Sequence, residues 1–297
     1  MKDLALTGKS MIGRVFDSFN YLLLCIFAFS ILYPFWHLIL TSFARESESL
    51  SLGFHLWINE WTSYAWEYVL STQGVGVGYF NTVLRTSTGS LFTLVVTLFA
   101  AYPLAHRELP GRTPVTILFL ITLFYSGGLV PTYLVIRGLG LINNRLVLIL
   151  PVAFNVYYII IMRNYLMTID KGVEESALVD GANYLTILFK IIVPLARPVV
   201  ATLLLWTAVY HWNAWFDALI YIRDDNKRVL QLIVRRLYEM VTASAEIREY
   251  WEDMGVQFPP QSVQAVMVLA TIGPIILIYP FVQRHFIRGI MIGSLKG

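Results

Sequence analysis

Two stretches of this chain carry residues whose types and spacing could do chemistry. In the first, residues 174–198, the sequence reads EESALVDGANYLTILFKIIVPLARP, a polar break between long apolar segments. At 3.6 residues per turn, Ala177, Leu178, Gly181 and Ala182 fall on neighbouring turns, while Glu174 and Glu175 sit near the helix start, where the dipole favours carboxylates. With Ser176 and Asp180 between them, the expected element is a short helix with a small, smooth face, shaped to enter a socket. Gly181 is expected to break or cap it, because glycine enters left-handed backbone angles cheaply. In the second stretch, Tyr210, His211, Trp212, Asn213, Trp215 and Phe216 crowd one end of an apolar segment. Aromatic faces can bury the CH faces of a sugar ring, and Asn and His can satisfy its hydroxyls. An aromatic belt at a membrane surface explains the same residues without any ligand. Asn213 leads the ligand reading, because a polar amide at that depth needs a partner.

Bond-making chemistry is not signalled. The chain has no phosphate-binding Gly-Lys-Ser/Thr loop, no zinc-ligand spacing and no Gly-x-Ser-x-Gly elbow, and His37, His55, His106, His211 and His285 are scattered. No catalytic residue, metal site or ATP hydrolysis is therefore expected in this chain. Asp224 and Asp225 are adjacent and sit among bases, which suits solvated charge or docking better than acid–base work. A net charge of +3 without interleaved basic residues gives no reason to expect nucleic acid as a partner.

The elements that must position these residues are membrane spans. Of 297 residues, 57% are hydrophobic and 14% charged, too apolar for a soluble domain. The expected fold class is all-α, in a lipid bilayer. About six apolar stretches approach the roughly 20 residues a span needs: 19–40, 82–104, 115–136, 146–163, 198–218 and 264–283. The first is read as an uncleaved span rather than a signal peptide, since it is long, contains Pro34 and lacks a small-x-small site. Orientation follows from Lys and Arg in the short loops. With 1–18 cytoplasmic, the inside pieces 1–18, 105–114, 164–197 and 284–297 hold eleven of the 22, so the signal is local: the tail has Arg284, Arg288 and Lys296 and no acid, whereas 41–78 has Arg45 against Glu46, Glu48, Glu60 and Glu67. Both termini are then cytoplasmic, 41–81 and 219–263 are external, and Cys25 is a packing residue inside the first span. Arg137 and Arg145 go against the rule. Within the spans, Gly127, Gly128 and Pro131 predict an interruption, Pro151 and Asn155 another, and Arg85 is expected to snorkel to the outer face.

The order Glu175, Ala177, Gly181, then Ile191, Val193 and Pro194 resembles the EAA motif of the membrane subunits of binding-protein-dependent ABC importers. Ser176 and Val193 are mild departures from it. Asp180-Gly181-Ala182 followed by Phe189, together with NTVLRT and AAYPLAHR in the second span, is similar to the maltose-type carbohydrate permeases, and the ending QRHFIRGIMIGSLKG is similar to those of polysaccharide-fragment permeases. The resemblance covers nearly the whole chain. It implies the type I ABC importer fold, a second, similar permease subunit, two ATP-binding subunits that hold the ATP and Mg, and an extracytoplasmic solute-binding protein. It further implies that Glu174, Glu175, Ala177, Asp180, Gly181, Ala182 and Pro194 belong to the ATPase-coupling loop, and that Gly293, Ser294 and Lys296 reach the ATPase subunits. An oligosaccharide is the implied cargo. Arg223, Lys227, Arg228, Arg235 and Arg236 could attract an acidic one, or could equally face water. A permease for another small solute, or a secondary transporter, is the alternative; the latter needs ionisable pairs near the bilayer midplane, of which few are evident.

Overall fold

The computed structural model describes residues 11–45, 54–72, 74–241 and 261–294. Among them the only β pairing is an isolated antiparallel bridge, Ala44 to Trp61; the rest is helix and connection, as a chain that must satisfy its backbone inside lipid requires. Two helices, α1 (Met11–Phe43) and α3 (Val75–Ala105), are long and apolar enough to cross a membrane alone. Three bent pairs pass the same test together: α4 (Arg112–Phe124) with α5 (Leu129–Gly138), the segment Arg145–Ala153 with α7 (Val156–Leu166), and the segment Tyr184–Leu195 with α11 (Arg197–Asn213). With the apolar start of the last helix, Gln261–Ser294, these agree with about six spans.

The chain divides into two compact units, Met1–Ser71 with Ala243–Ala270, and Thr72–Thr242 with Thr271–Gly297. In the first, α1 ends in a folded cap. Leu40, Ala44 and Ile58 are buried together, the Thr62 N–H donates to Phe43 O at 2.8 Å, and Trp36 Nε1 donates to Leu56 O at 3.1 Å. Trp66 on α2 (Tyr64–Ser71) reaches Ser42 Oγ at 3.3 Å. Much of the aromatic content of the described residues between α1 and α3 is thus spent on closing α1. Between Val15 and Ile39 no residue of α1 is buried in the single chain.

The second unit is built on α3. Leu94, Leu98, Ala101, Tyr102 and Leu104 of α3 share a core with Ile159, Met162 and Leu166 of α7 and with Val199 and Leu203 of α11. Small residues let the helices approach closely. A Cβ on Gly89 would lie 2.6 Å from Nε2 of His211, a residue of α11 whose ring is buried against α3. Gly89→Val is therefore expected to cost about 1–3 kcal/mol by overpacking, and an unchanged thermal midpoint in detergent would contradict this placement.

The breaks in the spans have identifiable causes. Between α4 and α5 the chain turns by 115°, and Gly128 adopts φ 79, ψ −178, a region essentially closed to other residues. Asn155 is explained by capping: its Oδ1 accepts the Tyr158 N–H at 3.3 Å and starts α7 after Pro151 has opened α6 (Leu150–Ala153). Pro198 occupies the first turn of α11, where a missing N–H costs nothing, and Pro194 lies in α10 (Val193–Leu195), at the end of the helical segment Tyr184–Leu195. The chain turns by 86° between the two prolines, where the segment Tyr184–Leu195 gives way to α11. Continuous helix does not run through 198–218: α11 ends at Asn213, Ala214 is extended, and α12 (Phe216–Tyr221) begins anew.

Candidate functional site: the exposed helix after the fourth span

Helix α8 (Lys171–Val179) carries the acidic stretch. Its start is capped by Asp170, whose Oδ1 accepts the Gly172 N–H at 3.0 Å. At its end the Gly181 N–H reaches Leu178 O and the Ala182 N–H reaches Ala177 O, both at 3.0 Å, with Gly181 at φ 82. These two bonds define a Schellman end, which requires a left-handed residue at the glycine. Asn183 then caps α9 (Tyr184–Ile187), accepting the Thr186 N–H at 2.8 Å, and a π-helical turn over Leu188–Ile192 leads into α10.

The acidic and small residues of this stretch divide between two faces. Ala177 is buried in the core formed by α3 and α7, and Ala182 packs against it. Glu174 also turns inward: its Oε1 accepts a hydrogen bond from Tyr102 Oη and lies 2.9 Å from His106 Nε2. His106 Nδ1 lies 2.9 Å from Tyr102 O, so both ring nitrogens face oxygen atoms. Glu175, Asp180 and Gly181 face outward with Val173, Leu178 and Val179, the last 87% exposed. Of the residues expected in the coupling loop, Glu174 and Ala177 are thus in contact with this chain's own core, while Glu175, Asp180 and Gly181 are exposed. Beside them Lys171 Nζ meets Glu108 Oε1 at 2.6 Å. That hydrogen bond holds the Glu108 carboxyl below the usual carboxylate range.

The aromatic stretch is divided in the same way. His211 and Trp212 belong to the packing: His211 lies over Gly89, and Trp212 Nε1 donates to Thr271 O at 2.8 Å. Tyr210 and Asn213 are exposed with Trp206 at helical spacing, and Asn213 Nδ2 donates within its own helix to Val209 O. Phe216 is exposed on α12, edge-on to Trp215, while Trp215 is half-buried with the Arg235 guanidinium 3.5 Å above its ring. Of the six residues expected to meet a ligand, Tyr210, Asn213 and Phe216 are exposed, with Trp206 exposed one turn before Tyr210.

Arg85 does not snorkel. Only 3% exposed, it donates to Ala214 O at 3.0 Å and to both carboxylate oxygens of Asp217, filling the break between α11 and α12. Asn81 donates to Asn226 O and Arg228 O, both at 2.9 Å, and Thr82 Oγ1 accepts the Leu230 N–H that starts α13 (Leu230–Val241). Three of the five bases between 223 and 236 are matched within the chain: Lys227 with Asp224, Arg228 with Asp225, and Arg235 with Glu239. The Asn226 N–H, and then Lys227, hold the Asp224 carboxyl below its usual range. At the other end of the chain, Gly293 and Ser294 sit at the end of the last helix; Lys296 lies outside the described residues.

Residues 74–292 match a family described as the binding-protein-dependent transport system inner membrane component. The chain is 38% identical over 290 residues to the polygalacturonan/rhamnogalacturonan transport system permease protein YtcP of Bacillus subtilis (strain 168), covering 97% of this chain and 100% of that one. It is likewise 38% identical to Protein LplC of the same organism, covering 96% of each. Among solved structures, a chain of a bacterial ABC transporter involved in the import of the acidic polysaccharide alginate superposes with a TM-score of 0.82 at 30% identity, over 94% of this chain and 99% of the other. The helical spans, the exposed capped helix after the fourth of them and these matches agree, and the chain belongs to the inner-membrane permease family of binding-protein-dependent ABC transporters.

Proposed function

We propose that this chain is one permease half of an ATP-driven importer for oligosaccharides of acidic polysaccharides, driven through α8 by ATP-binding subunits. The observation that carries the reading is the two-sided character of α8. A helix of nine residues, capped at both ends and too short to enter a bilayer, anchors itself by Glu174 and Ala177 and presents Val173, Glu175, Leu178 and Val179 outward. Exposed apolar side chains around an acidic residue and a glycine suit a cleft on a protein partner. ATP and Mg belong to that partner, and the helix side of the membrane is cytoplasmic. The exposed apolar length of α1 is matched by a second permease subunit, lipid covering what remains. An extracytoplasmic binding protein delivers the sugar. Trp206, Tyr210, Asn213 and Phe216 are the residues of this chain that line its path.

The acidic character of the cargo rests on the relatives, one a polygalacturonan/rhamnogalacturonan permease and one an alginate importer. The matched external bases do not add to it. Tagging the chain in its native membrane and purifying it in mild detergent is expected to bring two ATP-binding subunits and a second permease with it. A chain that purifies alone would overturn the importer. Uptake of a labelled uronate oligosaccharide should be inhibited by unlabelled uronate oligosaccharides and not by neutral ones of equal length; equal inhibition by both would remove the acidic assignment.

A further inference from the structure

We propose that Glu174, Tyr102 and His106 form the joint through which movement of α8 reaches the span α3, acting as positioning residues in the coupling of ATP hydrolysis to transport. The proposal rests on the importer reading of α8.

A force applied to α8 by a partner has few routes into this chain. Of the helix's side chains, only Ala177 is buried and Glu174 partly so; the others are exposed. Ala177 contributes an apolar contact, which resists separation but allows sliding. Glu174 contributes direction, since a carboxylate oxygen shared by two donors holds both distance and angle. Both donors sit at the end of α3: Tyr102 is 8% exposed in its last turn, and His106 follows its last residue. His106 is itself tied to the Tyr102 carbonyl and lies edge-on to the Tyr102 ring at 4.9 Å, so the joint is attached to α3 twice. The nearby Lys171–Glu108 pair is well exposed and a weaker tie.

What α3 does at its other end makes the joint useful. There Asn81, Thr82 and Arg85 hold the 226–230 segment and, through Asp217, the break between α11 and α12. That break lies beside Tyr210, Asn213 and Phe216. One continuous 31-residue helix thus links the docking element to the aromatic stretch by charge-assisted hydrogen bonds at both ends. Physical continuity of this kind permits coupling; only a measured coupling establishes it.

The test uses the complete transporter in proteoliposomes, with sugar uptake and ATP hydrolysis measured together and retained ATP-binding subunits quantified. Glu174→Gln and Tyr102→Phe are expected to keep the ATP-binding subunits but lower sugar moved per ATP by roughly tenfold, the worth of a charge-assisted hydrogen bond in a partly buried site. His106→Ala should do the same, and His106→Gln, which keeps an N–H donor, should recover part of the loss. Glu175→Gln is the contrast and should release the ATP-binding subunits. The joint is overturned if Glu174→Gln releases them as Glu175→Gln does, or if transport per ATP stays within about twofold of the unmodified complex. Should Glu174→Gln not accumulate, Tyr102→Phe decides by the same ratio, since it removes one hydroxyl and keeps the ring packing. A wild-type complex without ATP-binding subunits would overturn the importer reading itself, and the joint with it.

Discussion

Gly181→Asp is expected to leave the protein in the membrane at near-normal amount and to abolish both sugar uptake and association with the ATP-binding subunits. Inside this chain the substitution is mild. Gly181 has φ 82, a conformation that costs an L-residue about 1–2 kcal/mol and that Asp tolerates better than most. A Cβ built there meets no atom within 4 Å, and the bonds from the Gly181 and Ala182 N–H groups that close α8 use the backbone alone. The change falls on the exposed surface of the helix end, where a new carboxylate follows Asp180 directly in the chain. A desolvated, unpaired carboxylate in a protein interface costs about 2–5 kcal/mol or more, so association should weaken by a hundredfold or so. Gly181→Asn separates the two effects, since it keeps the tolerance for the left-handed turn without the charge, and should weaken association much less. Normal uptake by Gly181→Asp would mean that α8 is not the docking element.

The second large effect is internal. Asp217→Ala leaves the Arg85 guanidinium 3% exposed without its carboxylate, and breaking a buried pair by removing one partner costs about 3–5 kcal/mol. For a unit of this size the thermal midpoint in detergent should fall by roughly 10 °C. The double substitution Arg85→Leu with Asp217→Leu should recover most of that loss, because an apolar pair of similar volume leaves no buried charge. A single variant as stable as the double would show that Arg85 finds water or another partner, and that the pair does not hold α12 against α3.

These two expectations differ in how far they could be seen without a structure. The α8 end is local. Gly181 closes the helix through bonds to residues three and five positions back, so residue types within one turn determine it, and the same is true of the capping by Asp170 and Asn183. The spans were legible for a similar reason: lipid demands a long apolar run whatever packs against it. The breaks at Gly128 and after Pro194 were legible as breaks, since glycine and proline act on their own backbone. Their angles, 115° and 86°, were not.

What could not be read belongs to contacts between distant residues. Glu174 and Glu175 are neighbours of one type, and helical periodicity separates them by about 100° without saying which turns inward. Tyr102 and His106, some seventy positions earlier, decide that. Arg85 looked like a surface cation because snorkelling is the usual resort of a charge near a span end; Asp217, 132 positions away, gives it a buried partner instead. His211 and Trp212 looked like ligand residues until Gly89 and Thr271 were found beside them. By itself, then, the sequence determined the helical membrane class and the capped helix after the fourth span, because each depends on composition or on residues within a turn of one another; the family came from the resemblance of its motifs to known permeases. Only the tertiary structure decided which of two adjacent carboxylates is free for a partner and which aromatic residues remain exposed, because a side chain's direction is chosen by the helix packed against it.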